Sequence, residues 1–265
     1  MMLQNKNAVI YGAGGSLGGA IAKAFAAAGA RVFLTGHNLT SVQKVADEIT
    51  ALGGLAEVAQ VEAFDESAIN SHLDAVIEKA GSIDISFNLA GINVKQGVPL
   101  VSLTMDEFVL PVTQTLQTRF LTAKAAGNAM IKQRSGVILS LTATPGGIGY
   151  PFTGGFAAAC CALESFSGNL AAELGVYGVR VVNIRSGGSP DSRVFKEAIE
   201  SIPEVMGGAL SQMENDTMLK QLPLMADIAN TAVFLASDMA GKITGCTVDV
   251  TSGTTAGLNY RAPRQ

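Results

Sequence analysis

With 265 residues, 48% hydrophobic and only 15% charged, the chain can bury one large core and suits a sheet covered by helices on both faces. A net charge of -4 without a basic stripe excludes nucleic acid as a partner. Three cysteines (Cys160, Cys161 and Cys246), two of them adjacent, exclude a disulfide scaffold and fit a reducing, cytoplasmic setting.

The polar start, residues 1–7, runs straight into a strand rather than into a signal peptide. Apolar β-rich runs then alternate with helical patterns. A strand is expected over 8–11, then a Gly-rich turn and a helix that Gly29 stops. Strand 31–35, helix 41–52, strand 57–61, helix 66–80 and strand 83–88 follow. A long helix over 105–133 precedes strand 135–141, helix 155–174 and strand 180–184. A helix over 227–236 and a strand over 247–251 complete the pattern. No uncharged apolar run reaches about 18 residues, so no membrane span is expected. Two histidines without clustered Cys or carboxylate spacing give no metal site.

Such alternation implies parallel strands joined by right-handed crossovers, hence one doubly wound, Rossmann-type α/β domain over 1–265. Ligands in such sheets bind beyond the carboxyl ends of the strands. The segment 189–222, rich in Met, Ser, Glu and Gly and less periodic, falls where a flexible flap over a substrate belongs.

The turn after the first strand reads Tyr11-Gly-Ala-Gly-Gly-Ser-Leu-Gly18. Glycines let a backbone approach a pyrophosphate, and the following helix offers free N–H groups. This loop resembles the T-G-x-x-x-G-x-G signature of short-chain dehydrogenases/reductases, with Tyr11 for the Thr and Ser16 for the middle Gly. Asn88-Leu-Ala-Gly91 resembles the family's N-N-A-G stretch, and Glu62 falls where an Asp usually holds the adenine amino group. Asp227-Ile-Ala-Asn230, Phe234-Leu-Ala-Ser-Asp238 and Ile243-Thr-Gly245 through Gly253 resemble its closing helix and strand. The chain is thereby identified as a member of that family along nearly its whole length.

The resemblance implies a dinucleotide held by Gly12, Gly14, Gly15, Ser16, Leu17, Gly18, His37, Asn38, Glu62, Ala63, Asn88, Ala90, Gly91 and Ser189. The second strand ends in Thr35-Gly36-His37-Asn38 without the carboxylate that binds the 2′-hydroxyl of NAD, which favours NADP(H) over NAD(H). His37 is then either a partner for the 2′-phosphate or a solvated turn residue. A small-molecule substrate and a homo-oligomer, tetramer or dimer, are implied likewise.

Carbonyl-reducing members of the family use a Tyr as general acid, a Lys one helical turn later, a Ser that positions the carbonyl, and an Asn in the preceding helix. A phenol with a free pKa near 10 needs the neighbouring cation to work near neutrality. On this sequence those positions fall on Phe156, Cys160, Ala143 and Thr115, and no Y-x-x-x-K occurs anywhere. A neutral thiol does not replace a permanent cation. The catalytic residues are therefore unknown, with Thr142, Thr144 and Tyr150 as substitute candidates; Tyr150 reads more readily as a loop cover over apolar surface. Cys160 and Cys161 read as small core residues. Arg185 either meets an anionic substrate or forms a structural salt bridge. Lys124 and Arg119 are exposed or at a subunit contact, and His72 is solvated. Three functions remain open: an oxidoreductase with rewired acid–base groups acting on a small carbonyl or an enone, a non-redox isomerase or cyclase reusing the cleft, and a catalytically silent NADP(H) sensor or partner subunit.

Overall fold

A computed structural model of the chain describes residues 1–201 and 203–256. Its seven strands are β1 (Asn7–Tyr11), β2 (Arg31–Gly36), β3 (Leu55–Gln60), β4 (Ile85–Asn88), β5 (Gly136–Ala143), β6 (Val179–Ser186) and β7 (Thr247–Val250). They form one parallel sheet in the order β3-β2-β1-β4-β5-β6-β7. The helices are α1 (Ser16–Ala27), α2 (Leu39–Ala51), α3 (Glu66–Ala80), α4 (Met105–Gln133), α5 (Phe156–Leu174), α6 (Arg193–Ser201), α7 (Pro203–Asp216) and α8 (Met225–Ala236). Alternation along each strand sends side chains to two cores. Ala8 and Ile10 pack with Ile21 and Phe25 of α1, Ile49 of α2 and Ile228 of α8. Val9 and Tyr11 pack on the other face with Ile69 of α3, Met130 of α4 and Leu174 of α5. A fully buried Phe25 alone is worth about 1.5–3 kcal/mol.

The expected doubly wound sheet is present, and the 105–133 helix has the expected bounds. Its start is fixed by a capping box, Thr104 Oγ1 accepting from the Glu107 N–H (3.3 Å) and Glu107 Oε2 from the Thr104 N–H (2.9 Å). Elsewhere, pairing rather than hydrophobicity sets the strand ends. β3 begins at the exposed Leu55 because Leu55 pairs with Arg31 of β2. β5 and β6 each run two residues beyond expectation, ending on the paired Ala143 and Ser186. The segment 189–222 is not irregular: it holds α6 and α7. Among the described residues, no helix is long and apolar enough to cross a membrane.

Lys124 is exposed, as expected, and pairs with Glu66 (2.7 Å). Arg119 and His72 sit differently from expectation. Arg119 is largely desolvated, its Nε unpartnered among the described residues, and burial lowers its pKa to about 10. His72 is half-buried rather than solvated, and burial lowers its imidazole pKa against an opposing pull from Glu57.

Candidate functional site

The central strand β1 lies between β2 and β4, where the chain reverses its direction of winding. A cleft of about 970 Å³ opens there, beyond the carboxyl ends of the strands. Its first wall is the glycine turn. Gly12 has φ +73°, and a Cβ on it would lie 2.6 Å from the Leu89 carbonyl oxygen. A Cβ on Gly18 would come closer still to the Gly12 carbonyl oxygen. The turn therefore closes only with glycine at both positions. It delivers the chain into α1, whose N-cap Gly15 offers no side chain, leaving the first N–H groups of the helix for a ligand.

Gly12, Gly14, Gly15, Ser16, Leu17, Gly18, His37, Asn38, Glu62, Ala63, Ala90, Gly91 and Ser189 all line this one cleft. Asn38 caps α2, its Oδ1 accepting from the Ser41 N–H (3.2 Å), and Gln60 Nε2 donates to the His37 carbonyl (3.1 Å). Asn88 is a correction, since it does not line the cleft. Its amide lies beneath, donating to the Thr118 carbonyl and Thr122 Oγ1 on α4 (both 3.0 Å) and accepting from the Ala90 N–H (2.9 Å). Asn88 thus shapes the turn that presents Ala90 and Gly91. Ser189 Oγ is buried and has no partner among the described residues, although it borders the cleft. A buried, unpaired hydroxyl costs about 1–3 kcal/mol unless a ligand satisfies it. With the uncapped helix start, it makes the cleft fit a dinucleotide.

The far end is apolar. Leu141, Ala143, Tyr150, Phe156, Phe195, Met213 and Leu222 line it, with Thr144, Thr153 and Gln96. Of the candidate catalytic positions, Ala143 and Phe156 face the cleft, whereas Thr115 and Cys160 do not line it. Thr115 is buried with its hydroxyl unpartnered among the described residues. Cys160 lies one turn along α5 from Phe156, and burial pushes its thiol up to about 11. Cys161 and Cys246 are exposed. A disulfide reagent is expected to titrate two thiols rapidly on the native protein and the third only in denaturant. Equal reaction of all three in the folded state would contradict the burial of Cys160.

Thr142 is a second correction. It lies outside the cleft, and its hydroxyl donates to Glu164 Oε1 (2.7 Å) and accepts from Asn183 Nδ2 (2.7 Å). Thr144 borders the cleft, but its hydroxyl is directed to the Ser186 carbonyl (3.4 Å). Tyr150 lines the cleft, and burial together with Asp216 raises its phenol pKa, which makes it a weaker acid. Arg185 is fully engaged. Its Nη2 lies 2.6 Å from Glu164 Oε2 and its Nη1 3.1 Å from Asp249 Oδ2. The salt-bridge alternative is therefore the one realised, and Arg185 is neutralised beneath the loop that carries Tyr150. Sequence reasoning missed Gln96, Thr153, Arg193, Phe195, Met213 and Leu222. The one available signal was the amphipathic run that opens α6 at Arg193.

Among the described residues, no group of three or more His, Cys, Asp or Glu is placed to hold a metal ion. The chain matches a family model described as Enoyl-(Acyl carrier protein) reductase over residues 12–255. It is 30% identical to the 7alpha-hydroxysteroid dehydrogenase of Escherichia coli (strain K12) over 261 residues, 98% of each chain. It is 32% identical to the 3-oxoacyl-(acyl-carrier-protein) reductase FabG of the same strain, covering 96% of this chain and 98% of that one. Among solved structures, levodione reductase superposes with a TM-score of 0.89 at 27% identity, over 97% of this chain and 100% of that one. Matched from the glycine turn to the last strand, the chain belongs to the short-chain dehydrogenase/reductase family of NAD(P)(H)-binding oxidoreductases.

Proposed function

We propose that the chain is an NADP(H)-dependent reductase of small, apolar, electron-poor substrates such as conjugated enones, working without a side-chain proton donor. The observation that carries this reading is the pairing of an intact dinucleotide cleft with Phe156 and Ala143 at its reactive end. The reduced nicotinamide supplies a hydride when bound. The glycine turn, Ser16, Leu17 and the start of α1 hold the diphosphate, His37 and Asn38 take the 2′-phosphate side, and Glu62 and Ala63 border the adenine. Ser189 offers its free hydroxyl to a polar group of the cofactor. Phe156, Phe195, Met213 and Leu222 exclude water from one face of the substrate and favour an uncharged, ring-bearing molecule.

A simple ketone needs protonation as hydride arrives, and loss of a general acid costs about 10²–10⁴-fold. An enone accepts hydride at its β-carbon as the C=C π bond breaks. The electron pair moves to the carbonyl oxygen, and water then protonates the enolate. Tyr150 lines the apolar end and serves there as a cover over the substrate, its phenol made a weaker acid by burial and by Asp216. We further assign the exposed face of α4 around Leu110 and Phe120, where Phe120 meets Phe166 edge-on at 6.1 Å, to contact with a second copy.

The test is purified protein with NADPH and matched enones and saturated ketones. Oxidation of NADPH is expected with enones only. Turnover of ketones at comparable rates would overturn the proposed lack of an acid. Tight NADPH binding with no turnover of either class would favour a silent binder instead.

A further inference from the structure

The described residues that line the cleft include one permanent cation, Arg193, and it comes from the flap rather than from the glycine turn. Arg193 is the first residue of α6, and its backbone N–H donates to Ser16 Oγ (3.1 Å) across 177 residues of sequence. Ser16 is in turn the first residue of α1. The N-termini of two helices, of 12 and 9 residues, therefore meet at one hydroxyl. Each helix start carries partial positive charge and N–H groups without helical partners. The Arg193 side chain is 67% exposed and, among the described residues, its one ion pair is a loose contact to Glu197 (3.6 Å), so it is free to swing within the cleft it lines.

We propose that Arg193 and the start of α6 form the second half of a diphosphate clamp, closed over the glycine turn by Ser16. This rests on the nucleotide-binding reading above. Ser16 stands where the family signature has a glycine, and its side chain tethers the flap there. The ligand class is a nucleoside diphosphate, recognised through its bridged phosphates; a nucleoside without them gains nothing from the clamp. The apolar flap residue Phe195 and the cation Arg193 enter the site on the same helix. Binding of the cofactor's diphosphate therefore orders one wall of the substrate pocket.

The experiment is calorimetric titration of ADP, adenosine and NADPH into wild-type protein, Arg193→Gln and Ser16→Ala, at low and high salt. Loss of one charge-assisted contact is expected to weaken ADP and NADPH by about tenfold in Arg193→Gln while adenosine is unchanged. The difference shrinks at high salt. Ser16→Ala, which keeps the backbone donors and removes the tether, is expected to speed proteolysis within 189–201 and to blunt its protection by ADP. Arg193→Gln binding ADP within twofold of wild type, or Ser16→Ala with wild-type proteolysis, would overturn the clamp. Wild-type protein that binds neither ADP nor NADPH would overturn the nucleotide reading itself, and the clamp with it.

Discussion

Gly18→Ala is expected to weaken NADPH binding by at least about 100-fold, the equivalent of roughly 2.7 kcal/mol. The added Cβ would meet the Gly12 carbonyl oxygen, a backbone atom that cannot rotate away. Relief requires the turn to open, which withdraws the N–H groups at the start of α1 from the cleft. Overpacking of this kind also costs about 1–3 kcal/mol of fold stability, so binding and thermal unfolding are measured together. Gly175→Ala is the control. Gly175 is exposed at the end of α5, outside the cleft, with a helical φ of -57° and nothing within 4 Å of an added Cβ, and binding is expected to stay at the wild-type level. Equal losses in both variants would mean that the Gly18 effect does not come from the close approach in the turn.

The second large effect is expected at Glu164. Its carboxylate accepts from Thr142 (2.7 Å) and from Arg185 Nε (3.0 Å) and Nη2 (2.6 Å). The two charged side chains are only 15% and 16% exposed. Glu164→Leu leaves the guanidinium with Asp249 alone and deprives the Thr142 hydroxyl of its acceptor, while Asn183 still donates to it. Removing one partner of a largely buried pair costs about 3 kcal/mol, here roughly 6–12 °C in Tm. The double variant Glu164→Leu/Arg185→Leu removes the orphaned charge and is expected to recover most of that loss. Thermal unfolding of the three variants checks both statements. A single variant as stable as wild type would show that Arg185 is adequately held by Asp249 or water.

The parts of the site that the sequence revealed are those built from local spacing. Gly12 and Gly18 are six residues apart in one turn, and their requirement is steric, so the turn was legible. Thr142 and Ala143 were only half legible. They alternate on β5, so when Ala143 faces the cleft its neighbour Thr142 must face away, which strand periodicity alone implies. Arg185 was not legible, because its partners stand 21 and 64 residues away, brought together by the pairing of β6 with β7 and the packing of α5. Asn88 was misplaced because a side chain in a motif can serve the ligand directly or brace the turn that does. The helices α6 and α7 were missed although α6 opens on an amphipathic run, because that run is short and, among the described residues, Phe195 and Met213 line the cleft and belong to neither core.

The position of β1 also bears on synthesis. One flank of β1 is matched by β2 early, but the other awaits β4, with Ala8 aligned to Ile85. A nascent chain that has assembled its first three strands therefore presents an unsatisfied apolar edge until residues 85–88 emerge from the ribosome. Chaperone demand and misassembly during translation should concentrate in that interval, and slowing elongation just before β4 should lower the yield of native protein.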